Sequence, residues 1–128
     1  MRLAGKTFAS ACALVALAVT LLATAAAGHG RAPTRVHIRQ VSGRRAFHGR
    51  VISNRRACLG GRRIRLYHEM TGSDPLVATT STHRDGTWRA MPARRDYRPA
   101  SYYYARIAPK RAGRAACAGA KSAFAEAY

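Results

Sequence analysis

The residues that could carry chemistry in this 128-residue chain are mainly its arginines. Lysine and arginine number 23 against five acidic residues, so the formal net charge is +18. A surface this basic attracts nucleic acid, acidic glycans or anionic envelope polymers through charge alone. The alternative interpretation is compositional, with arginine and alanine reflecting a GC-rich genome and the charge merely solvated. We expect the polyanion-binding residues to be Arg50, Arg55, Arg56, Arg62, Arg63 and Arg65.

Patterns for catalysis or metal binding are weak. The histidines show no H-x-H or H-x-x-x-H spacing, and a metal site needs several close ligands. Only His48 and His68, on neighbouring candidate strands, could meet in space. Glu69, beside His68 and Arg65, is the one candidate for the general base of a secreted ribonuclease, and no Gly-x-Ser-x-Gly elbow occurs. We therefore predict a protein that is not an enzyme and has no metal or cofactor.

A run of tyrosines lies close to two further arginines. Tyr102, Tyr103 and Tyr104 fall between Arg98 and Arg106. Interleaved aromatic and arginine side chains can hold single-stranded nucleic acid or sugars by stacking. The simpler interpretation, which we favour, places Tyr103 in the core while Tyr102 and Tyr104 cover the outer face of a strand.

The N-terminus has the pattern of a secretory signal peptide. Arg2 and Lys6 precede an apolar segment at 8–22, and small residues with A-x-A spacing lead to a cleavage point after Ala27. The apolar segment is shorter than the roughly 20 residues that span a bilayer, which disfavours an uncleaved anchor. Cys12 lies inside it and is expected to leave with the signal peptide at 1–27. No segment of the mature chain is long enough to cross a membrane, so we predict a secreted or envelope-associated protein.

The mature chain keeps two cysteines, Cys58 and Cys117. In an exported chain an even pair predicts a disulfide, and two free thiols are the alternative. The bridge would close a loop of about sixty residues, which stabilises the fold by roughly 4 kcal/mol in the chain-entropy model.

Short extended segments separated by turns predict an all-β domain over 35–128, after a flexible lead-in at 28–34. Val36 and Ile38 alternate with polar residues, which gives one apolar face. Asp85-Gly86 between two such segments indicates a hairpin. We predict seven strands, at 35–41, 46–53, 62–69, 76–82, 87–91, 101–108 and 120–127, with a loop at 109–116.

The order of several segments resembles secreted bacterial domains of the transthyretin-like (prealbumin-like) or carboxypeptidase-regulatory-like class. This resemblance implies a seven-stranded Greek-key β-sandwich that serves as an accessory or structural module, and it carries over no catalytic residue. Some relatives form a Lys–Asn isopeptide bond, which the positions of Lys110, Lys121 and Asn54 argue against. The matching segments are Phe47 to Val51, Cys58 to Tyr67, Thr79 to Trp88, Tyr103 to Ile107, and Cys117 with 120–122.

Two functional hypotheses follow. The first is a non-enzymatic β-sandwich module of the cell envelope or exterior, structural or binding, that associates electrostatically with anionic polymers. The alternative is a small secreted basic hydrolase that acts on a polyanion such as RNA. Salt-reversible binding without cleavage would favour the first, and turnover would favour the second.

Overall fold

The computed structural model describes residues 30–128. The predicted signal peptide at 1–27 and the first two residues of the lead-in lie outside the described residues. The described part contains ten strands and no α-helix, so the predicted all-β class is confirmed. The strands are β1 (Thr34–Gln40), β2 (Phe47–Ser53), β3 (Arg63–His68), β4 (Leu76–Ser81), β5 (Thr87–Ala90), β6 (Tyr102–Ile107), β7 (Lys110–Ala112), β8 (Ala115–Cys117), β9 (Ala120–Lys121) and β10 (Ala125–Glu126).

The described strands form three sheets in which all strand pairs are antiparallel. The first sheet has the order β1-β2-β5. The second has the order β10-β6-β3-β4, and β9 also pairs with β6. The third is the hairpin β7-β8. Within residues 30–128, no helix is long and apolar enough to cross a membrane.

The first and second sheets pack face to face over one shared core. Val36, Phe47 and Trp88 enter it from the first sheet, and Ile64 and Tyr103 enter it from the second. Val36 and Ile64 are flanked on both sides by exposed basic residues, because successive side chains of a strand point to opposite faces. The predicted core positions of Trp88 and Tyr103 are confirmed, since the two side chains are 2% and 0% exposed.

Gly49 leaves room at the centre of the first sheet for the backbone of β1 and the indole ring of Trp88. It lies opposite Trp88 in the register of β2 and β5. A Cβ atom at this position would collide with the carbonyl oxygen of His37 and would lie 2.7 Å from Cζ2 of Trp88. Only glycine leaves room for the indole ring against the backbone here.

The chain after β6 differs from the prediction of one loop and one strand. The expected loop at 109–116 contains the hairpin β7-β8, which turns at Gly113 with φ +58°. The expected strand at 120–127 is divided into β9 and β10. Its interruption begins at Ser122, whose Oγ, in place of a backbone carbonyl, accepts the N–H of Ala105 at 2.8 Å. The alternation of apolar residues is too sparse in this region for the sequence to reveal either feature.

A small second core surrounds the cysteines. The Sγ atoms of Cys58 and Cys117 lie at disulfide-bond distance, 2.00 Å, as expected for the predicted bridge. Ala32, within the segment assigned to the lead-in, is buried and pairs in parallel with Cys117. The disulfide therefore joins the 3-10 turn Arg56–Cys58 to β8, and the backbone pairing of Ala32 adds the start of the described chain.

Candidate polyanion-binding site

Five of the six arginines expected to bind polyanions lie on the surface. Arg63 and Arg65 project from the outer face of β3, in the second sheet. Arg50 is exposed on β2, in the first sheet. Arg55 and Arg56 are exposed where the chain enters the 3-10 turn. The structure therefore distributes these residues over two faces and one loop.

Arg62 is the sixth, and it lies inside the protein with only 1% of its surface exposed. Its Nη1 donates to the carbonyl oxygen of Cys58 at 2.9 Å. Its Nη2 donates to the carbonyl oxygens of Ala108 at 3.0 Å and Ala118 at 2.8 Å. Desolvation by burial lowers the pKa of the guanidinium. Arg62 thus connects three backbone segments beside the disulfide, and it is not available to a polyanion at the surface.

Three cations on adjacent strands form a line across the outer face of the second sheet. Arg65 of β3 lies opposite Arg106 of β6, and Arg106 lies opposite Lys121 of β9. We call Arg65, Arg106 and Lys121 the cation row. Neighbouring strands are about 4.8 Å apart, so the row extends about 10 Å perpendicular to the strands. On the other side of Arg65, the partner on β4 is the neutral Thr79.

The cation row borders an open groove of about 420 Å³. Arg63 and Tyr67, each two residues from Arg65 along β3, line the same groove. Arg63 has the neutral Ser81 as its partner on β4. The groove therefore presents four positive side chains from three strands, with an aromatic ring at one side.

Aromatic side chains cover the sheet next to the cation row. The rings of Tyr67 and Tyr104 stack with centroids 5.4 Å apart. The Nζ atom of Lys121 lies 4.3 Å from the ring centre of Tyr104 and 5.2 Å from that of Phe124, within the range of cation–π attraction. These contacts hold Lys121 at the end of the row.

A hydrogen-bonded carboxylate lies at the aromatic side of this face. The hydroxyl of Tyr104 donates to Oδ2 of Asp74 at 2.6 Å, and the backbone N–H of Met70 donates to Oδ1 at 2.9 Å. The Met70 bond and then the Tyr104 bond lower the pKa of Asp74. The same contact with Asp74, as the largest cause, raises the pKa of Tyr104 to about 12. Asp74 is therefore an ionised acceptor for these two donors.

Few carboxylates neutralise the surface cations. Among the described residues, the only ion pair within 4.0 Å joins Nε of Arg95 to Oδ2 of Asp96, at 3.8 Å. Asp85 accepts two hydrogen bonds from Thr87, and Glu126 accepts one from the hydroxyl of Tyr128. The cation row therefore has no ion-pair partner in the part of the chain that the structure describes.

The structure separates the residues considered for catalysis. His48 is exposed on the first sheet, whereas His68 is buried in the second and stacks on Tyr103 at 4.8 Å, so the two histidines do not share a strand pair. His68 and Arg65 lie on opposite faces of β3. The suggested catalytic group of Glu69, His68 and Arg65 is therefore not assembled at one site. Residues 30–128 contain no group of three His, Cys, Asp or Glu side chains arranged to hold a metal ion.

Arg106 and Lys121 were missed as site residues by the sequence reasoning. Their alignment with Arg65 depends on the register of strands that are distant in sequence. One available signal was the alternation of β6: because Tyr103 and Ala105 face the core, Arg106 must face outward. The interpretation of the tyrosine run is confirmed for Tyr103, which is buried, and for Tyr102, which is 46% exposed on the outer side. Tyr104 lies on the same outer face but is only 5% exposed, because Tyr67, Phe124 and Lys121 cover its ring.

The chemistry available on this face is anion binding. Arginine forks form paired hydrogen bonds with phosphate and carboxylate groups, and lysine adds a point charge. The groove is lined by cationic, aromatic and small apolar side chains, with no nucleophile–base pair among its described lining residues. No family model, curated protein or solved structure matches the chain.

Proposed function

We propose that this chain is an exported, non-enzymatic β-sandwich module that binds anionic polymers through Arg63 and the cation row. The observation that carries the proposal is the direct opposition of Arg65, Arg106 and Lys121 on three paired strands. Like charges directly opposite one another destabilise a sheet. A bound polyanion would offset that repulsion. Cations scattered over a surface do not repel one another in this way, so the aligned row favours a role in binding.

A polymer suits this surface better than a small anion. The row extends about 10 Å across the strands, beyond the reach of one phosphate or carboxylate. A linear polyanion contacts the cations together and releases the counterions that had condensed on it, which favours association at low salt. The volume of the groove, about 420 Å³, leaves room for a segment of a polymer chain.

We also propose that the fold belongs to the transthyretin-like class and that the cell exports the chain. Two antiparallel sheets facing across one core support the first part, and the hairpin β7-β8 would be an addition to the seven-stranded plan. The charged, apolar and small segments of the N-terminus support the second. A crystal structure and the N-terminal sequence of the protein recovered from culture medium would test these parts.

The binding experiment compares two fourfold variants of equal charge. The site variant replaces Arg63, Arg65, Arg106 and Lys121 by Gln. The control variant makes the same replacement at exposed positions outside the groove, at Arg44, Arg94, Arg111 and Arg114. Anisotropy of a labelled single-stranded oligonucleotide is measured over a range of NaCl concentrations, and gels of the same mixtures detect cleavage.

We expect the parent chain to bind with an affinity that falls steeply with salt, and to leave the oligonucleotide intact. In the site variant the slope of log K against log salt should become shallower by about 3, because each of the four lost phosphate contacts contributes about 0.7. The slope of the control variant should change little. Equal losses in both variants would show that only total charge matters. Cleavage of the oligonucleotide would favour the hydrolase instead.

A further inference from the structure

The outer face of the first sheet carries a second set of basic residues in register. Arg39 of β1 lies opposite His48 of β2, which lies opposite Arg89 of β5. On the same face, His37 lies opposite Arg50. All five side chains belong to exposed residues. The second face thus carries its own line of basic residues across three paired strands, in which His48 lies between the two arginines.

This second face is poor in negative charge. The strands β1, β2 and β5 contain no aspartate or glutamate. Asp85 lies in the turn that precedes β5 and accepts the N–H and the hydroxyl of Thr87, at 2.9 and 2.6 Å. Those two bonds, and to a smaller degree the charge of Arg50, lower its pKa. One carboxylate at the margin leaves the face strongly positive.

The two basic faces meet at one edge of the sandwich. β1 is the edge strand of the first sheet, and β9 lies at the neighbouring edge of the second. A hollow of about 300 Å³ between them is lined by Arg35, His37 and Lys121. Lys121 also lines the groove of the cation row. A path of cations therefore runs from Arg65 over this edge to the first sheet.

We propose that this path is one continuous track for a flexible, linear chain of phosphate groups, which passes over the β1–β9 edge and contacts both faces. The inference rests on the proposed function of the cation row and extends it to the shape of the ligand. The outer faces of two packed sheets point in opposite directions, so a chain that contacts both must bend sharply. Duplex DNA, with a persistence length of about 150 base pairs, cannot bend this way over so short a distance, whereas a single strand can.

Arginine dominates the track, and arginine is the residue that proteins prefer for the recognition of phosphate and nucleic acid. Arg63, Arg65, Arg106, Arg35, Arg39, Arg50 and Arg89 contribute guanidinium groups, and Lys121 contributes the single ammonium. The planar guanidinium fork matches two phosphate oxygens at once. A single-stranded nucleic acid and a phosphate polymer without bases share this backbone, and the experiment separates them.

The test measures the slope of log K against log salt for four probes: oligothymidylates of about 5 and about 30 nucleotides, a duplex of about 30 base pairs, and long-chain inorganic polyphosphate. The short strand should contact about four cations of one face and give a slope near −3, whereas the long strand should contact about eight and give a slope near −6. The duplex should reach one face only and give a slope near −4. The long single strand should therefore show a steeper slope than the duplex.

A variant of the far face supplies the decisive comparison. Arg39→Gln with Arg89→Gln should reduce the slope of the long strand by about 1.4 and leave that of the duplex unchanged. The matched control, Arg111→Gln with Arg114→Gln, should change neither slope. Similar slopes for polyphosphate and the long oligothymidylate would support a ligand recognised by its phosphates alone, and binding of oligothymidylate only would support a nucleic acid strand on the same track.

Two results would overturn the track. The first is a long-strand slope no steeper than that of the short strand, while the fourfold site variant still loses about 3 from its slope. The cation row would then act alone, and the proposed function would stand. The second is no change in the long-strand slope on replacing Arg39 and Arg89. Absence of binding by all four probes at low salt would instead remove the proposed function itself.

Discussion

Arg65 of β3 and Arg106 of β6 are directly opposite cross-strand partners on the exposed face of the second sheet. An opposite-charge pair at such a position stabilises a sheet by about 0.2–1 kcal/mol, and a like-charge pair destabilises it. We therefore expect this pair to lower the free energy of unfolding, and, under the proposed function, to favour ligand binding in return. Substitutions here should move stability and binding in opposite directions.

The first prediction concerns Arg65→Glu, which places a carboxylate opposite Arg106. We expect the free energy of unfolding to rise by about 0.5–1 kcal/mol, which corresponds to an increase in Tm of roughly 2–6 °C for a domain of this size. Polyanion affinity should fall, because one cation is lost and a negative charge is added. Differential scanning fluorimetry and oligonucleotide anisotropy on the same sample measure both effects.

Arg44→Glu is the control for this prediction, because it changes the net charge by the same amount at an exposed residue in the turn between β1 and β2. It should raise Tm by less than Arg65→Glu does and should weaken binding less. A lower Tm for Arg65→Glu than for the parent would contradict the view that the like-charge pair is destabilising.

The second prediction concerns the buried Arg62. Replacing it with Met removes the donor from the carbonyl oxygens of Cys58, Ala108 and Ala118. Buried acceptors left without a partner cost about 1–3 kcal/mol each, and water can reach part of this site, so we expect a loss of about 2–5 kcal/mol. Urea denaturation followed by tryptophan fluorescence measures it.

The neighbouring residue gives a matched control. Arg63→Met removes an identical side chain from the exposed face and should change the free energy of unfolding by no more than about 0.5 kcal/mol. Arg62→Lys should lie between Arg62→Met and the parent, because an ammonium cannot reproduce the fork that reaches all three carbonyls. Equal stability of Arg62→Met and Arg63→Met would show that the three bonds contribute nothing.

Much of the fold could be predicted from local pattern. Val36 and Ile38 alternate with basic residues, and this period of two identifies a strand with one buried face. The same rule also applies to Arg62, just before β3. It has the parity of the inward-facing Ile64 and Leu66, so the pattern already directs it inward, although a charged residue is expected outside.

The cation row could not be predicted because it depends on pairing between distant segments. Arg65, Arg106 and Lys121 are adjacent only through the registers of β3 with β6 and of β6 with β9. Nothing local fixes those registers, which come from the packing of both sheets on the core. Clustering of arginines along the sequence was therefore a poor guide, and it missed two of the three residues in the row.

The third prediction concerns the disulfide. Cys58 and Cys117 are 59 residues apart in sequence. Replacing both with Ala should lower the free energy of unfolding by about 4 kcal/mol, because the unfolded chain regains the freedom of a long loop. Urea denaturation of the parent with and without a reductant should reproduce this loss, and the double variant should not respond to reductant.

Arg62 should be energetically coupled to the bridge. Its guanidinium bonds to the carbonyl oxygens of Cys58 and Ala118, each of which is at or next to a bridged cysteine. Without the bridge these carbonyls are free to separate, so Arg62 has less effect on the free energy of unfolding. We expect the loss in the combined variant to be smaller than the sum of the two separate losses by about 0.5–3 kcal/mol. Additive losses in the double-mutant cycle would contradict this coupling.

The fourth prediction concerns pH and the contact between Tyr104 and Asp74. The Met70 and Tyr104 hydrogen bonds lower the pKa of Asp74 below its usual 3.8. The ionised carboxylate is thus favoured in the folded state, and this contribution to stability is fully present above that usual value. It is lost as the pH falls through the lower pKa of the folded protein. Asp74→Asn should remove this part of the acid dependence in pH-dependent thermal unfolding.

At alkaline pH the same contact acts on the tyrosine. Because Tyr104 donates to Asp74, its pKa is raised from 10.0 to about 12, so the contact stabilises the fold below pH 10 and the contribution is lost as the pH rises through about 12. In Asp74→Asn the pKa of Tyr104 should fall towards 10, as followed by tyrosinate absorbance with Tyr104→Phe to identify the transition. Glu126→Gln is the matched control, because it removes the carboxylate that raises the pKa of Tyr128 and should leave the late transition of Tyr104 in place. Disappearance of that transition in Glu126→Gln, with its persistence in Asp74→Asn, would show that Asp74 is not the cause.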